Sequence, residues 1–555
     1  MELHGRYSVE RMHQLQVYSR RSSLTRALFV IFLTPLPCVL IVILVDLIPL
    51  EAPDSGLAHS HAFWLRMVIC LWVINFSNLE QGRHYISTLP VTVLQIAHLT
   101  TVVATGGVAM AFGWASLIDY PLPFFPCFAA PGCMLLTAIS STIIWGKHVR
   151  GNPTMQAEII NYFNFVGVPI SLIFIYPGYN HVFMRLTASQ QTEFALLLPV
   201  IKILAKNAIG YLARHLEDCK PEVVIFNIEI SHALFIASSM QQSNSICTTI
   251  VLMAMDFVQA CASLHDIDLM LKSLRELIEP SPDSINGQQR GTSNLNALDA
   301  AMYLLSIDKQ LRSNASLRLN SQAKMRSSPA RIVIWPQESR QPGPLLAAIS
   351  ILGDENKPLG RKVSDKAAKS RAAVHPGDSN QRAISVGMIL DALAGTTCIR
   401  DVDKQRLQLL SSEARLEVVQ KTLQLLHLTE FLLLIEFTEV IVPCIYCVFV
   451  GVVSHMPNQQ FYSNLRDLDN DSLLHNISKI LVYASLEILS CVILAVLLAR
   501  RLRISSLKQL AFVLEVQWQV VQTKLVVWVL FSLQTTLVHM GMDYSFHFAW
   551  LHKGA

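Results

Sequence analysis

Apolar residues in this chain run in uninterrupted blocks of about 20, set apart by short polar stretches. That length suits a helix crossing ~30 Å of hydrocarbon at ~1.5 Å per residue. About eleven such blocks stand out, at 27–49, 63–80, 91–118, 122–145, 159–177, 194–212, 222–243, 245–264, 429–453, 477–499 and 524–541. Each backbone amide in lipid must be satisfied within its own segment, and the alternation of a β-barrel strand is absent, so the blocks predict helices. The expected fold is an all-α, polytopic membrane bundle of about eleven spans, carrying a large polar insert.

Lysine and arginine in the short loops predict the orientation. Arg6, Arg11, Arg20, Arg21 and Arg26 precede the first block, the loop 51–62 has no Lys or Arg, and Lys147 and Arg150 follow the fourth block. The alternation places the N-terminus (1–26) in the cytosol. The first block is longer than a signal-peptide core and ends in DLIPLEAP, so it reads as a retained span. Segment 194–212 carries Lys202 and Lys206 within its run; it either lies flat in the headgroup region or spans. Spanning keeps the basic loops inside, with Lys202 snorkelling or facing the bundle interior.

The expected organisation is a front membrane block at 27–265, a cytosolic insert at 266–425, a rear block at 426–541 and an external or lumenal tail at 542–555. The insert opens on an amphipathic stretch, DIDLMLKSLRELIEP, and its residues from about 280 to 385 are rich in Ser, Gly, Pro, Asn and Arg. Such a segment has too little apolar surface to offset ordering entropy and is expected to be largely disordered. It either contacts anionic lipid or protein partners through its basic residues, with Ser327, Ser328, Ser364 and Ser370 open to phosphorylation, or is a solvated spacer. A second helical stretch, 401–427, leads into the ninth block. The loop 454–476 is acidic and reads as external; Asn470 and Asn476 each begin an Asn-x-Ser sequon there.

Composition supports lipid as the main solvent. Only 15% of the 555 residues are charged and 52% are hydrophobic, against roughly 25% charged in soluble domains. No nucleic-acid partner is expected, and the bilayer is the one partner composition dictates. The eleven cysteines are scattered, so no disulfide framework is implied, although Cys127 and Cys133 near one boundary are candidates to pair.

Candidate chemistry lies in acids within the apolar runs. Glu222, Glu229 and His232 share one face of the seventh block; Asp256 sits in the eighth; Glu430, Glu436 and Glu439 are in the ninth; Glu487 is in the tenth. A charge at mid-bilayer costs at least ~2.5–3.5 kcal/mol, so such groups face a bundle interior or a wet path. Glu222, Glu229, His232, Asp256, Glu436 and Glu439 are therefore candidates for a polar pathway carrying protons, ions or a small polar solute. The other account is structural, with the acids neutral or paired, for instance with Lys202, and holding helices together. Glu229-x-x-His232 has the spacing of a carboxylate-bridged di-iron helix but lacks its second copy, and Cys444-x-x-Cys447 lacks a second cysteine pair. No catalytic motif, cofactor or metal is predicted.

The stretch FNIEISHALFIASSMQQSNSICTTIVLM (226–253) and the ending HMGMDYSFHFAWL (539–551) resemble a family of large multi-pass membrane proteins from oomycetes, uncharacterised in activity. The resemblance implies that Glu229, His232 and the Asp-aromatic ending belong to a shared pattern; it implies no substrate or catalytic residue. The expected function is receptor-like or scaffolding through the cytosolic insert, and the competing expectation is a transporter or channel.

Overall fold

A computed structural model describes residues 5–86, 89–213, 218, 220–242, 246–278, 296–308, 310–311, 401–466, 470–502 and 504–542. Asp256 has only its backbone among them, and the insert serines and the tail from 543 lie outside them. The described chain is helical, with one isolated β-bridge, Tyr462 to Leu537.

The N-terminal segment forms α1 (Val9–Arg21), capped by the Ser8 hydroxyl, which accepts from the Arg11 amide. The first span is α2 (Leu24–Leu33) followed by α3 (Leu36–Asp46), the break falling where Pro35 interrupts the amide ladder. Next come α4 (His61–Tyr85), α5 (Val93–Leu117), α6 (Phe125–Arg150) and α7 (Pro153–Arg185). A Thr92–Gln95 capping box starts α5, and Asn152 followed by Pro153 starts α7. A short α8 (Ala188–Ala195) leads into α9 (Leu197–Leu212), α10 (Lys220–Gln242) and α11 (Ile246–Ile278). After α12 (Ala297–Ile307) come α13 (Asp401–Leu409), α14 (Ser412–Val453), α15 (Asn470–Leu502), α16 (Ser506–Val516) and α17 (Trp518–Gln534).

Eight of the described helices are long and apolar enough to cross a membrane, nine if α16 and α17, bent by 81° at Gln517, count as one span. They match nine of the eleven predicted blocks; the other two, 222–243 and 245–264, are α10 and α11, which fall outside that count. The described part of α10 is enclosed by protein, with Glu222, Asn227, Glu229 and His232 all buried. The block 245–264 and the amphipathic stretch after it merge into the single helix α11, with Ile267, Leu271, Leu274 and Ile278 buried. The helical lead-in after residue 411 likewise merges with the ninth block, so that α14 runs 42 residues. At ~1.5 Å per residue this is about twice the hydrocarbon thickness.

Residues before and after the insert belong to one compact unit. Its axis is α14, which packs on α10, α15, α11, α12 and α3; α17 packs on both α4 and α10. A lateral layer of α4, α5 and α6 closes around Ile96, Leu99, Val103, Cys133 and Trp145. Here α5 and α6 approach so closely that a Cβ at Gly107 would meet the Cys133 sulfur, the close helix approach that small residues permit in membranes. Cys127 and Cys133 are both free, a correction to their candidate pairing, with Cys127 exposed and Cys133 buried against Gly107. Large apolar side chains face outward along the first span, Phe32 being 70% exposed. This is a surface that only lipid can cover without penalty.

At one end of the unit α1 packs on α16, α12 and α14. Gln16 and Arg20 both reach Asp299, at 2.8 and 3.4 Å, and the Tyr18 hydroxyl donates to Glu515 at 2.9 Å. Burial and Glu515 push the pKa of Tyr18 upward, so it stays a donor. The stretch expected to be disordered therefore contains one buried helix, α12; its apolar run, ALDAAMYLLSI, has enough surface to dock.

Candidate functional site

Glu222 and Glu229 stand two turns apart on α10 and are both fully buried. The structure brings some of the predicted residues together and separates others. Lys202 of α9 lies 3.0 Å from Glu229 and 3.0 Å from Glu439 of α14, and Lys206, one turn on, also pairs with Glu229. His232, one turn beyond Glu229, approaches the Tyr176 hydroxyl of α7 at 3.2 Å through Nδ1. Four helices thus meet on a network whose described ion pairs join two lysines to two carboxylates. Glu436 lies one turn from Glu439 on α14, and Glu487 is buried on α15. Asp256 is on α11, its side chain outside the described residues.

Glu222 belongs to a second centre. Arg11 of α1 enters the bundle and places Nη2 at 2.5 Å from Glu222 and 2.7 Å from Glu430 of α14. The Tyr7 hydroxyl also donates to Glu430. Arg11 is 5% exposed, and its guanidinium sits 5.1 Å from the Tyr7 ring centre. Two further centres involve residues the sequence reasoning missed. Lys524 of α17 donates to Gln81 at 3.0 Å and to Asn227 at 3.1 Å, entirely inside the bundle. Arg66 of α4, with no exposed surface, holds Asp46 at 2.5 Å, the Tyr462 hydroxyl at 2.7 Å and Gln534 at 2.9 Å. Arg66 interrupts an apolar block, the same signal that marked the acids, whereas Lys524 opens one, where a basic residue reads as an ordinary end. Arg11 carried no such mark, because a basic residue before a first span is what orientation alone requires.

No known protein family, curated protein or solved structure matches this chain. The site therefore has to be judged on its own chemistry. Among the described residues no group of three or more His, Cys, Asp or Glu side chains is placed to hold a metal. Glu229 of the Glu-x-x-His pair instead faces two lysines. Cys444 and Cys447 are free. What the geometry can do is neutralise charge: Glu229 and Glu439 meet lysines, and Glu222 meets an arginine, each from a different helix. Buried ions paired this way fix helix register strongly, since removing one partner strands the other.

The loops at the opposite end from α1 close around Arg66. The Asn458 side-chain amide donates to the carbonyls of Asp46 and Ile48 at 2.7 and 2.8 Å. His539 stacks on Phe63 at 5.3 Å and reaches the Glu51 carbonyl at 2.7 Å through Nε2. Burial lowers the pKa of His539, opposed by its bond to Glu51. Burial pushes Tyr120 up to about 12, so both tyrosine hydroxyls here stay protonated at neutral pH, with Tyr462 donating to Asp46 at 2.8 Å. Of the two sequons, Asn470 is the first residue of α15, its side chain outside the described residues, and Asn476 is partly buried two turns in.

Proposed function

We propose that this protein is a receptor-like or scaffolding membrane protein whose intramembrane acids hold the bundle together and whose cytosolic insert engages partners. The supporting observation is the pairing: Glu222 with Arg11, Glu229 with Lys202 and Lys206, and Glu439 with Lys202, all in a protein-enclosed interior. An acid that serves a conduction path needs a changing, hydrated environment, whereas these are countered by cations of neighbouring helices. The N-terminus and the insert face the cytosol by the distribution of Lys and Arg, which puts the Arg66 end outside or in a lumen. The insert's basic stretch, outside the described residues, is the element for protein or anionic-lipid partners. It is flanked by α12 and α13, and α12 packs on α1.

Transport is the second reading, favoured by one feature. Lys202 stands equally far, at 3.0 Å, from carboxylates on two helices, and a cation between two acids can exchange partners during a conformational change. One experiment separates the two. The full-length protein is reconstituted in liposomes carrying a pH-sensitive dye, under imposed proton and potassium gradients. The scaffold reading expects no flux above empty vesicles and a loss of stability alone in Glu229→Gln. A saturable flux in the parent protein, abolished in a still-folded Glu229→Gln variant, would overturn it in favour of transport.

A further inference from the structure

We infer that Glu222 and Glu430 form a guanidinium-binding seat, filled in the resting protein by Arg11 and open to a guanidinium from elsewhere when α1 lifts. The two carboxylates come from helices on opposite sides of the insert, α10 and α14, yet one nitrogen of one side chain serves both, at 2.5 and 2.7 Å. The segment that delivers Arg11 is threaded in rather than resting on the surface. The Tyr7 amide donates to the Leu423 carbonyl at 3.2 Å, the Ser8 amide donates to Asp218 at 2.7 Å, and Tyr7 is 1% exposed. Gly5 lies so close to His427 that a Cβ there would overlap the imidazole unless the ring shifted.

The seat also has hydrogen-bonding capacity that Arg11 leaves unused. Among the described residues, Glu222 Oε2 and both ring nitrogens of His427 are buried without a hydrogen-bond partner, and both side chains have no exposed surface. Two carboxylates are the acceptors of the seat, and the Tyr7 phenol beside them donates to Glu430 and accepts from Gln509 Nε2 at 3.5 Å. A planar fork with five N–H donors fits such a seat better than a compact ammonium does. Farther along α1, Gln16 meets the insert at Asp299 and Tyr18 meets the rear block at Glu515. Anything that pulls α12 away therefore also loosens the helix that fills the seat.

The test uses full-length Arg11→Ala in detergent, followed by thermal unfolding with guanidinium chloride at ~1–20 mM, far below denaturing strength. The expected result is an unfolding temperature several degrees below wild type, restored in a saturable way by guanidinium. Equimolar sodium or tetramethylammonium chloride should not restore it, wild type should not respond, and Arg11→Ala/Glu222→Gln should not be rescued. Restoration by every salt alike, or no response to guanidinium in Arg11→Ala, overturns the inference. If Arg11→Ala does not fold, Arg11→Lys decides: its ammonium leaves part of the acceptor set open, so guanidinium should raise its unfolding temperature while tetramethylammonium does not. An Arg11→Lys protein as stable as wild type and indifferent to guanidinium overturns the inference equally.

Discussion

Replacing Glu229 by Gln should be among the most damaging single substitutions in the bundle. The variant leaves Lys206, 1% exposed, without the carboxylate it faces, while Lys202 keeps Glu439 at 3.0 Å. Two scales compete for the magnitude. An interhelical hydrogen bond in a membrane is worth ~0.6 kcal/mol on average, because the unfolded-in-membrane state finds other partners. Stranding a buried charge costs ~3–5 kcal/mol. Lys206 is a charge without exposed surface to relax into, so the second scale should govern, giving a shift of about a hundredfold or more in the folding equilibrium.

Lys206→Met should be milder, about 1 kcal/mol, because Glu229 still has Lys202 at 3.0 Å. The double variant Lys206→Met/Glu229→Gln removes both members together and leaves the Lys202–Glu439 pair intact. It should recover most of the loss, for a coupling of about 2–3 kcal/mol. Detergent-driven unfolding in mixed micelles, followed by tryptophan fluorescence, reads all three. Additivity of the two single effects within ~0.5 kcal/mol would refute the pairing argument.

Arg66→Met should strand Asp46, which has 1% exposure, and cost ~3–5 kcal/mol, while Arg66→Met/Asp46→Leu should return to within ~1–2 kcal/mol of wild type; the same unfolding assay checks both. Because the pKa of His539 is lowered in the fold, its packing is fully favourable above the unfolded value near 6.5 and weakens as pH falls below it. Hydrogen exchange at 47–60 and 535–542, corrected for intrinsic rates, should therefore quicken between pH 7.5 and 5.5 in wild type and not in His539→Phe; an unchanged pH response in the variant would assign the effect to another group. For glycosylation, Asn470→Gln should remove the glycosidase-sensitive gel shift of the expressed protein and Asn476→Gln should not, since Asn476 is held within a helix. A shift lost only in Asn476→Gln would reverse that assignment.

The helical blocks were legible because lipid imposes one length and one composition on anything that crosses it. Eight of the expected segments match described helices apolar enough to span on those grounds alone, nine with the bent pair α16 and α17. The pairing of Lys202 with an acid was legible as well: a lysine inside an apolar run has to find a countercharge, and Glu229 lay inside the next apolar run. What could not be read was which long-range partner each ion takes. Glu222 and Glu229 share a helix face, yet they serve different centres, because two turns along α10 carry them from the reach of α9 to that of α1. The pairing of Asp46 with Arg66 was hidden for another reason. Asp46 ends the first apolar run, where an acid reads as an ordinary helix terminus until α4 and the loop bearing Tyr462 are brought beside it.

The insert looks in the sequence like a hinge between two membrane blocks, but the charges argue for a different relation. Two cations bridge the blocks: Arg11 joins Glu222 on the front side to Glu430 on the rear, and Lys202 joins Glu229 to Glu439. Separating the blocks within the bilayer would take Glu430 and Glu439 away from their cations, while Glu222 and Glu229 keep Arg11, Lys202 and Lys206 on the front side, at a cost of at least ~2.5–3.5 kcal/mol for each rear acid left charged at depth. For two acids that penalty reaches the lower end of the reserve of a typical domain, ~5–15 kcal/mol, before any apolar contact of α14 is lost. Motion driven from the insert must therefore leave α10 and α14 together. The element through which such motion would act is α1, which delivers Arg11 to Glu222 and Glu430 and is itself held at Asp299 by the buried Gln16 and the partly exposed Arg20.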